Sequence, residues 1–148
     1  MDTKNIVASG NTERTKAPLI LAVEDDLDNQ LLLEYALGMF GWRYLIAANA
    51  TVAITLAKER QPNLILLDIV LPQISGLHIA LMLKSDRQTQ SIPLIAVTAL
   101  TKEQDKESIF AAGFNEYVGK PFVLEQLQRA IANNLRPIPY CEITRSLF

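Results

Sequence analysis

Apolar positions along this chain come in two patterns that alternate. Leu19–Val23 (LILAV), Leu64–Leu67 (LILL) and Pro93–Val97 (PLIAV) are short, nearly unbroken apolar runs, the pattern of strands covered on both faces. Tyr44–Ala47 and Glu116–Val118 are weaker strand candidates. Between them the spacing predicts helices over Asn29–Phe40, Thr51–Arg60, Leu77–Lys84, Lys102–Ala112 and Phe122–Leu135. Gly41 and Gly113 stop two of these, and Pro62 and Pro137 follow two others, as helix ends require. Thr101–Gln104 (TKEQ) fits a capping box for the fourth helix, while Leu124, Leu127, Ile131 and Leu135 stripe the fifth. Five strands alternating with five helices, joined by short connections, predict an α/β fold: a doubly wound parallel sheet with right-handed crossovers.

Only the two ends break the alternation. Residues 1–17 are polar and predict a disordered tail, residues 18–135 make one domain, and residues 136–148, with Pro137 and Pro139, form a C-terminal extension too short for a second domain. The 148 residues are 49% hydrophobic and 20% charged, an ordinary composition for a chain with one sizeable core. A net charge of −2 with scattered basic residues offers no footprint for nucleic acid or acidic lipid. The single cysteine, Cys141, excludes an internal disulfide and suits a reducing compartment. No apolar run reaches the roughly 18 residues of a membrane helix, and the first residues lack a signal peptide's apolar core. A cytoplasmic protein is expected.

The chemistry-bearing residues fall at one address. Glu24, Asp25 and Asp26 follow the first strand, Asp68 the third, Thr98 the fourth and Lys120 the fifth, so all lie at carboxyl ends of strands, where open α/β sheets bind ligands. Asp68 is a lone carboxylate at the tip of an apolar segment (LILLDIVLPQISG). Buried and unpaired, it would cost several kcal/mol. If the first and third strands are neighbours, about 4.8 Å apart, their terminal carboxylates converge on one small cation. Without one they would repel each other and titrate as a coupled set. Oxygen ligands with no His or Cys nearby favour Mg²⁺, or Mn²⁺, over zinc.

Each residue also has a plainer role open to it. Asp68 alone could be a helix cap or loop residue, and the acidic trio could simply complement a helix dipole, with Asp26 or Asp28 as the cap. Thr98 could be a strand-end hydroxyl, Lys120 a surface lysine and Tyr117 a half-buried aromatic. The only histidine, His78, reads as a surface residue. Trp42 and Cys141 read as structural.

Taken together, LAVEDD, LLDIVLPQISG, IAVTAL and YVGKPF, in this order and spacing, resemble the response-regulator receiver domains of two-component signalling, the CheY-like family. The likeness covers roughly Pro18–Leu135. It implies a flavodoxin-like (βα)5 fold with strand order 2-1-3-4-5. It also implies that Asp68 accepts a phosphoryl group from a sensor histidine kinase, a His-phosphotransfer protein or a small acyl phosphate. Asp25 and Asp68 would ligate Mg²⁺ together with the Val70 backbone carbonyl, and Glu24 would hold the ion directly or through water. Lys120 and Thr98 would take phosphoryl oxygens, Tyr117 would change rotamer with Thr98, and the Lys120–Pro121 bond would be cis.

The resemblance further implies a switch rather than an enzyme, read out on the face of the fourth helix, fifth strand and fifth helix, by a downstream protein or a homodimer. Ser75 stands where an acidic or amide residue often precedes the glycine, and serine can still cap the third helix. Leu71 replaces a frequent methionine. Val70 and Leu100 are apolar where a polar side chain would position an attacking water, which predicts slow self-dephosphorylation. Asp two residues beyond the acceptor, as in aspartate-nucleophile phosphatases, is absent, since that position is Val70. A glycine-rich loop after the first strand is absent too. The alternatives are a pseudo-receiver that only binds proteins, or a receiver piece of a hybrid histidine kinase.

Overall fold

The computed structural model describes residues 17–100 and 102–135. The expected tail, apart from Ala17, the C-terminal extension and Thr101 lie outside the described residues. Elements follow in strict alternation: β1 (Leu19–Val23), α1 (Leu27–Phe40), β2 (Arg43–Ala47), α2 (Ala50–Arg60), β3 (Leu64–Leu67), α3 (Gly76–Lys84), β4 (Leu94–Thr98), α4 (Glu103–Ala111), β5 (Glu116–Gly119) and α5 (Leu124–Asn134). All five strands pair in parallel, in the order β2-β1-β3-β4-β5. The fold expected from the sequence is therefore the one observed.

Side-chain alternation along the strands splits the core into two layers. Leu19, Leu21, Val23, Ile65, Leu67, Leu94 and Ala96 face α2, α3 and α4. Ile20, Ala22, Leu64, Leu66, Ile95, Val97 and Val118 face α1 and α5. β1, β3 and β4 are buried at every position, which is why they read as continuous apolar runs.

Element ends follow local chemistry. Asp26 caps α1 by accepting from the Asn29 N–H at 2.9 Å, so the helix starts two residues earlier than periodicity suggested. Gly41 (φ 86°) ends it, its N–H donating to the Gly38 carbonyl and that of Trp42 to the Leu37 carbonyl. Ser75 caps α3, accepting from the Leu77 N–H at 3.1 Å. Pro93 has no N–H for the ladder, so β4 starts at Leu94 and runs on to Thr98, which pairs with Gly119.

The fourth helix departs from expectation. Its N-cap is Lys102, and the Asp105 carboxylate accepts from the Lys102 N–H at 3.3 Å, the role the sequence had suggested for Gln104 toward Thr101. An ionised carboxylate at the third helical position both accepts this bond and complements the helix dipole, so Asp105 outcompetes the neutral amide. α5 begins at Leu124 rather than Phe122. Among the described residues no helix is long and apolar enough to cross a membrane.

Candidate functional site

The carboxyl ends of β1 and β3 are adjacent because order reverses there: β1 leads to α1 on one face and β3 to α3 on the other. Backbone pairing continues just past both strands. The Glu24 N–H donates to the Ala47 carbonyl at 3.0 Å and the Asp68 N–H to the Val23 carbonyl at 3.2 Å. Glu24 and Asp68 are thereby held at one level beside each other. They are 2% and 7% exposed, the two buried acids of the described residues.

One carboxylate oxygen each from Glu24, Asp25 and Asp68 lies within 4.8 Å of the others. Asp25 is the exposed member of the three, so the cluster opens to solvent on its side. Lys120, delivered by the turn after β5, closes the other side. Its Nζ donates to Glu24 Oε1 at 2.8 Å and to Asp68 Oδ2 at 3.0 Å. Burial of the ammonium opposes its charge, but these two bonds and the attraction of both carboxylates outweigh it and raise the Lys120 pKa.

The remaining oxygens are claimed by backbone. Glu24 Oε2 accepts from the Asp26 N–H at 3.1 Å, and Asp68 Oδ1 from the Val70 N–H at 3.1 Å. Three carboxylates and one ammonium leave a formal charge of −2, which a divalent cation with hard-oxygen preference would neutralise. Donor chemistry and charge both fit magnesium, and Glu24, Asp25 and Asp68 are the groups able to hold it.

Thr98 is fully buried at the tip of β4, where its Oγ1 accepts from the Leu100 N–H at 3.2 Å and its carbonyl accepts from the Lys120 N–H at 2.9 Å. The Lys120–Pro121 peptide is cis. Val70 is 59% exposed in the loop after Asp68. Tyr117 lies one strand further out and is partly buried against the α4 side, edge-on to Phe110 (centroids 6.4 Å) and with Lys106 Nζ 5.3 Å from its ring centre. The structure thus gathers Glu24, Asp25, Asp68 and Lys120 into one cluster, with Thr98 bonded to the Lys120 backbone and Tyr117 standing apart.

Residues 20–132, which hold this carboxylate cluster and its lysine at the switch point of a 2-1-3-4-5 sheet, match the family described as "Response regulator receiver domain". The chain is a response-regulator receiver domain. The polar-differentiation response regulator DivK of Brucella anthropi is 35% identical over 116 residues, covering 78% of this chain and 94% of the relative.

Among solved structures, the receiver domain of a sensor histidine kinase from Pseudomonas aeruginosa PAO1, with a magnesium ion coordinated in its active-site cleft, aligns at 31% identity. Its TM-score is 0.74, over 80% of this chain and 97% of that one. The chemotaxis protein CheY4 of Vibrio cholerae shares the fold, with a TM-score of 0.77 at 23% identity over 80% and 99% of the two chains. Receiver domains are signalling modules that interact with histidine kinases or phosphotransfer proteins, and members of the family bind magnesium at an acidic site.

Two residues that sequence reasoning missed support this receiver site from below and behind. Gly76 packs against the backbone of the loop that follows β3: a Cβ there would collide with the Asp68 carbonyl oxygen and come within 2.8 Å of Ile69 Cα. Its N–H also donates to the Ile69 carbonyl at 2.8 Å. Gln30 Nε2 donates to the Glu24 carbonyl at 2.7 Å, tying the first turns of α1 to the acidic loop. The Ser-Gly pair before a helix was the available signal for the first; a glutamine in a helix's opening turns gave none for the second.

Proposed function

We propose that this receiver is phosphorylated on Asp68 in a magnesium-dependent reaction and signals by protein contact. The observation that carries the proposal is the meeting of Glu24, Asp25 and Asp68 oxygens within 4.8 Å beside an ammonium that bonds two of them. Asp68 is the acceptor because it follows β3 at the position of the receiver family's phosphoacceptor, with Lys120 Nζ 3.0 Å from its Oδ2. Its carboxylate attacks phosphorus in line, an Asp68 O–P bond forms, and the bond from phosphorus to the donor's histidine nitrogen breaks, leaving the imidazole to take up a proton.

Glu24, Asp25, Asp68 and the Val70 carbonyl would hold a magnesium ion, which would supply charge neutralisation for the transferring oxygens. Lys120 exchanges its bond to Asp68 for a phosphoryl oxygen, and the Thr98 hydroxyl binds another. Added negative charge of about two units then biases the loop between β4 and α4. Tyr117 and Phe110, the latter 48% exposed, carry the change to the α4–β5–α5 face. A downstream protein or a second copy reads that face. The donor is a sensor histidine kinase or His-phosphotransfer protein of the cytoplasm. Val70 and Leu100 offer no polar group to orient water, so the phosphoaspartate is long-lived.

Incubation with Mg²⁺ and acetyl phosphate tests this. An intact-mass increase of one phosphoryl group that is lost in Asp68→Ala and in chelator supports it. No mass increase in the native chain, under conditions that modify a known receiver, refutes it and leaves a binding module.

A further inference from the structure

α1 is apolar on two sides. Leu33, Ala36 and Leu37 face the core, yet Leu27, Leu31, Tyr35 and Met39 are 71%, 61%, 64% and 53% exposed on the other side, with Leu32 at 45%. Residues four apart on a helix are rotated by about 40°, so this stripe winds around α1 as it descends. Its lower end, Met39, comes round to the side of Leu32, which lines a cavity of about 330 Å³ together with Pro121 and Phe122 in the turn that leads into α5. The stripe therefore drifts toward α5. A second, exposed apolar stripe of this size on a helix marks a surface that something covers.

α1 and α5 each return from the carboxyl edge of the sheet, so both end at the opposite edge. Leu135, just after α5, packs in the same cluster as Phe40 and Trp42 at the end of α1. The chain continues from Leu135 for thirteen residues, RPIPYCEITRSLF. Extended, they reach about 43 Å, whereas the fourteen residues of α1 span about 21 Å. The segment begins at the end of the stripe and is long enough to follow it to the top.

Its chemistry is complementary. Ile138, Tyr140, Ile143, Leu147 and Phe148 supply apolar side chains. Arg136 and Arg145 against Glu142 give it a charge of +1, while α1 carries Asp28 and Glu34 and no basic residue. Residues 1–16 also carry +1, but beyond Met1 and small residues they offer only Ile6 and Val7. We propose that residues 136–148 dock along the exposed apolar stripe of α1, from Met39 toward Leu27, as an intramolecular strap. This goes beyond the phosphorylation proposal and does not depend on it.

Methionine oxidation reads the strap directly in the full chain. Met39 is more exposed than Met82 of α3, at 53% against 43%, so an uncovered α1 oxidises first at Met39. With the strap in place, peroxide oxidises Met39 more slowly than Met82. In the triple variant Ile143→Ser, Leu147→Ser, Phe148→Ser the order reverses, with Met39 several-fold faster and Met82 unchanged. A nitroxide on Cys141, the single cysteine, broadens amide signals of Leu31 and Tyr35 at every concentration, and Leu31→Ser with Tyr35→Ser frees the label. Met39 oxidising faster than Met82 in the native chain overturns the proposal. So does protection that survives the triple variant, or protection and broadening that vanish on dilution, the sign of a second copy on the stripe.

Discussion

Replacing Gly76 by alanine isolates how tightly the Asp68 loop is held. The new Cβ would lie 2.8 Å from Ile69 Cα and 2.9 Å from the Asp68 carbonyl carbon, with the Asp68 carbonyl oxygen nearer still. Ordinary contact starts at 3.4 Å, so the loop has to move by at least 0.6 Å at Ile69, the difference of 3.4 and 2.8 Å, and by more at Asp68. All the atoms in the way are backbone, so no side chain can swing aside.

The same movement shifts Asp68 relative to Lys120, whose 3.0 Å bond has little slack before it leaves the range of a good hydrogen bond. Overpacking of this kind costs about 1–3 kcal/mol. Replacing a helical glycine by alanine returns about 0.5–1 kcal/mol. The net loss is then about 0–2.5 kcal/mol, a Tm drop of up to roughly 10 °C for a domain of this size. A displacement approaching 1 Å at the nucleophile slows phosphoryl transfer by up to about 100-fold.

The assay pairs thermal unfolding with the rate of mass gain from acetyl phosphate, and Gly38→Ala is its control. That position on exposed α1 has nothing within 4 Å of a built Cβ, so Tm rises and the rate stays unchanged. An unaltered rate and a raised Tm in Gly76→Ala would show that the glycine is there for the turn alone and would refute the packing account.

Lys120→Met leaves Glu24, 2% exposed, without its ammonium, and the loss of such a buried partner costs about 3–5 kcal/mol. Urea unfolding measures this, and Mg²⁺ restores more stability to the variant than it adds to the native chain. In the native chain, Mg²⁺ at 100 times its Kd raises stability by about 2.7 kcal/mol, and chelation or Asp25→Ala removes that gain. Lys84, whose Nζ donates to the Gln90 and Ile92 carbonyls, has its pKa lowered from 10.5 by burial. The folded state then binds fewer protons than the unfolded one between that lowered value and 10.5, so this group's contribution to stability rises with pH across the window. Stability profiles of the native chain and Lys84→Met, compared over that range, reveal it as a lost upward slope. Val70→Asn shortens the phosphoaspartate lifetime by placing a water-binding amide beside Asp68, followed as mass loss after the donor is removed.

How much of this was legible in the sequence depended on whether a feature was encoded by type or by neighbours. β1, β3 and β4 were legible because both faces of each are covered, which forces apolar residues at every position. Glu24, Asp68 and Lys120 were legible because ionised side chains at the ends of such strands have few places to go except toward each other. The start of α4 was not, because Thr101 and Gln104 present a capping pattern one residue away from Lys102 and Asp105, and the ionised Asp105 carboxylate prevails over the Gln104 amide at the helix start. Gly76 reads as a turn residue in the sequence, and its constraint comes from the carbonyl of Asp68, a contact no local pattern contains. The outer face of α1 was overlooked for a related reason. The run Leu31–Leu33 serves the core-facing and the outer side at once, so the core period hides the second stripe.

The charge at the sheet edge also explains why Lys120 rather than arginine suits this position. Two unit charges 4 Å apart interact by about 4 kcal/mol at an effective dielectric constant of 20, so three unscreened carboxylates would push the loops after β1 and β3 apart. A single ammonium bonded to both Glu24 and Asp68 at 2.8 and 3.0 Å holds those loops together. It does so as a compact point charge on a flexible stem, with three donors that rotate freely. Such a group can release one carboxylate and follow an incoming anion without moving the backbone. A planar guanidinium, clamped bidentate on Asp68, would occupy both oxygens of the nucleophile. Lys120→Arg therefore retains most of the fold's stability while losing most of the phosphorylation rate, and equal rates in the two proteins would mean that charge alone, not reach and rotation, is what the position requires.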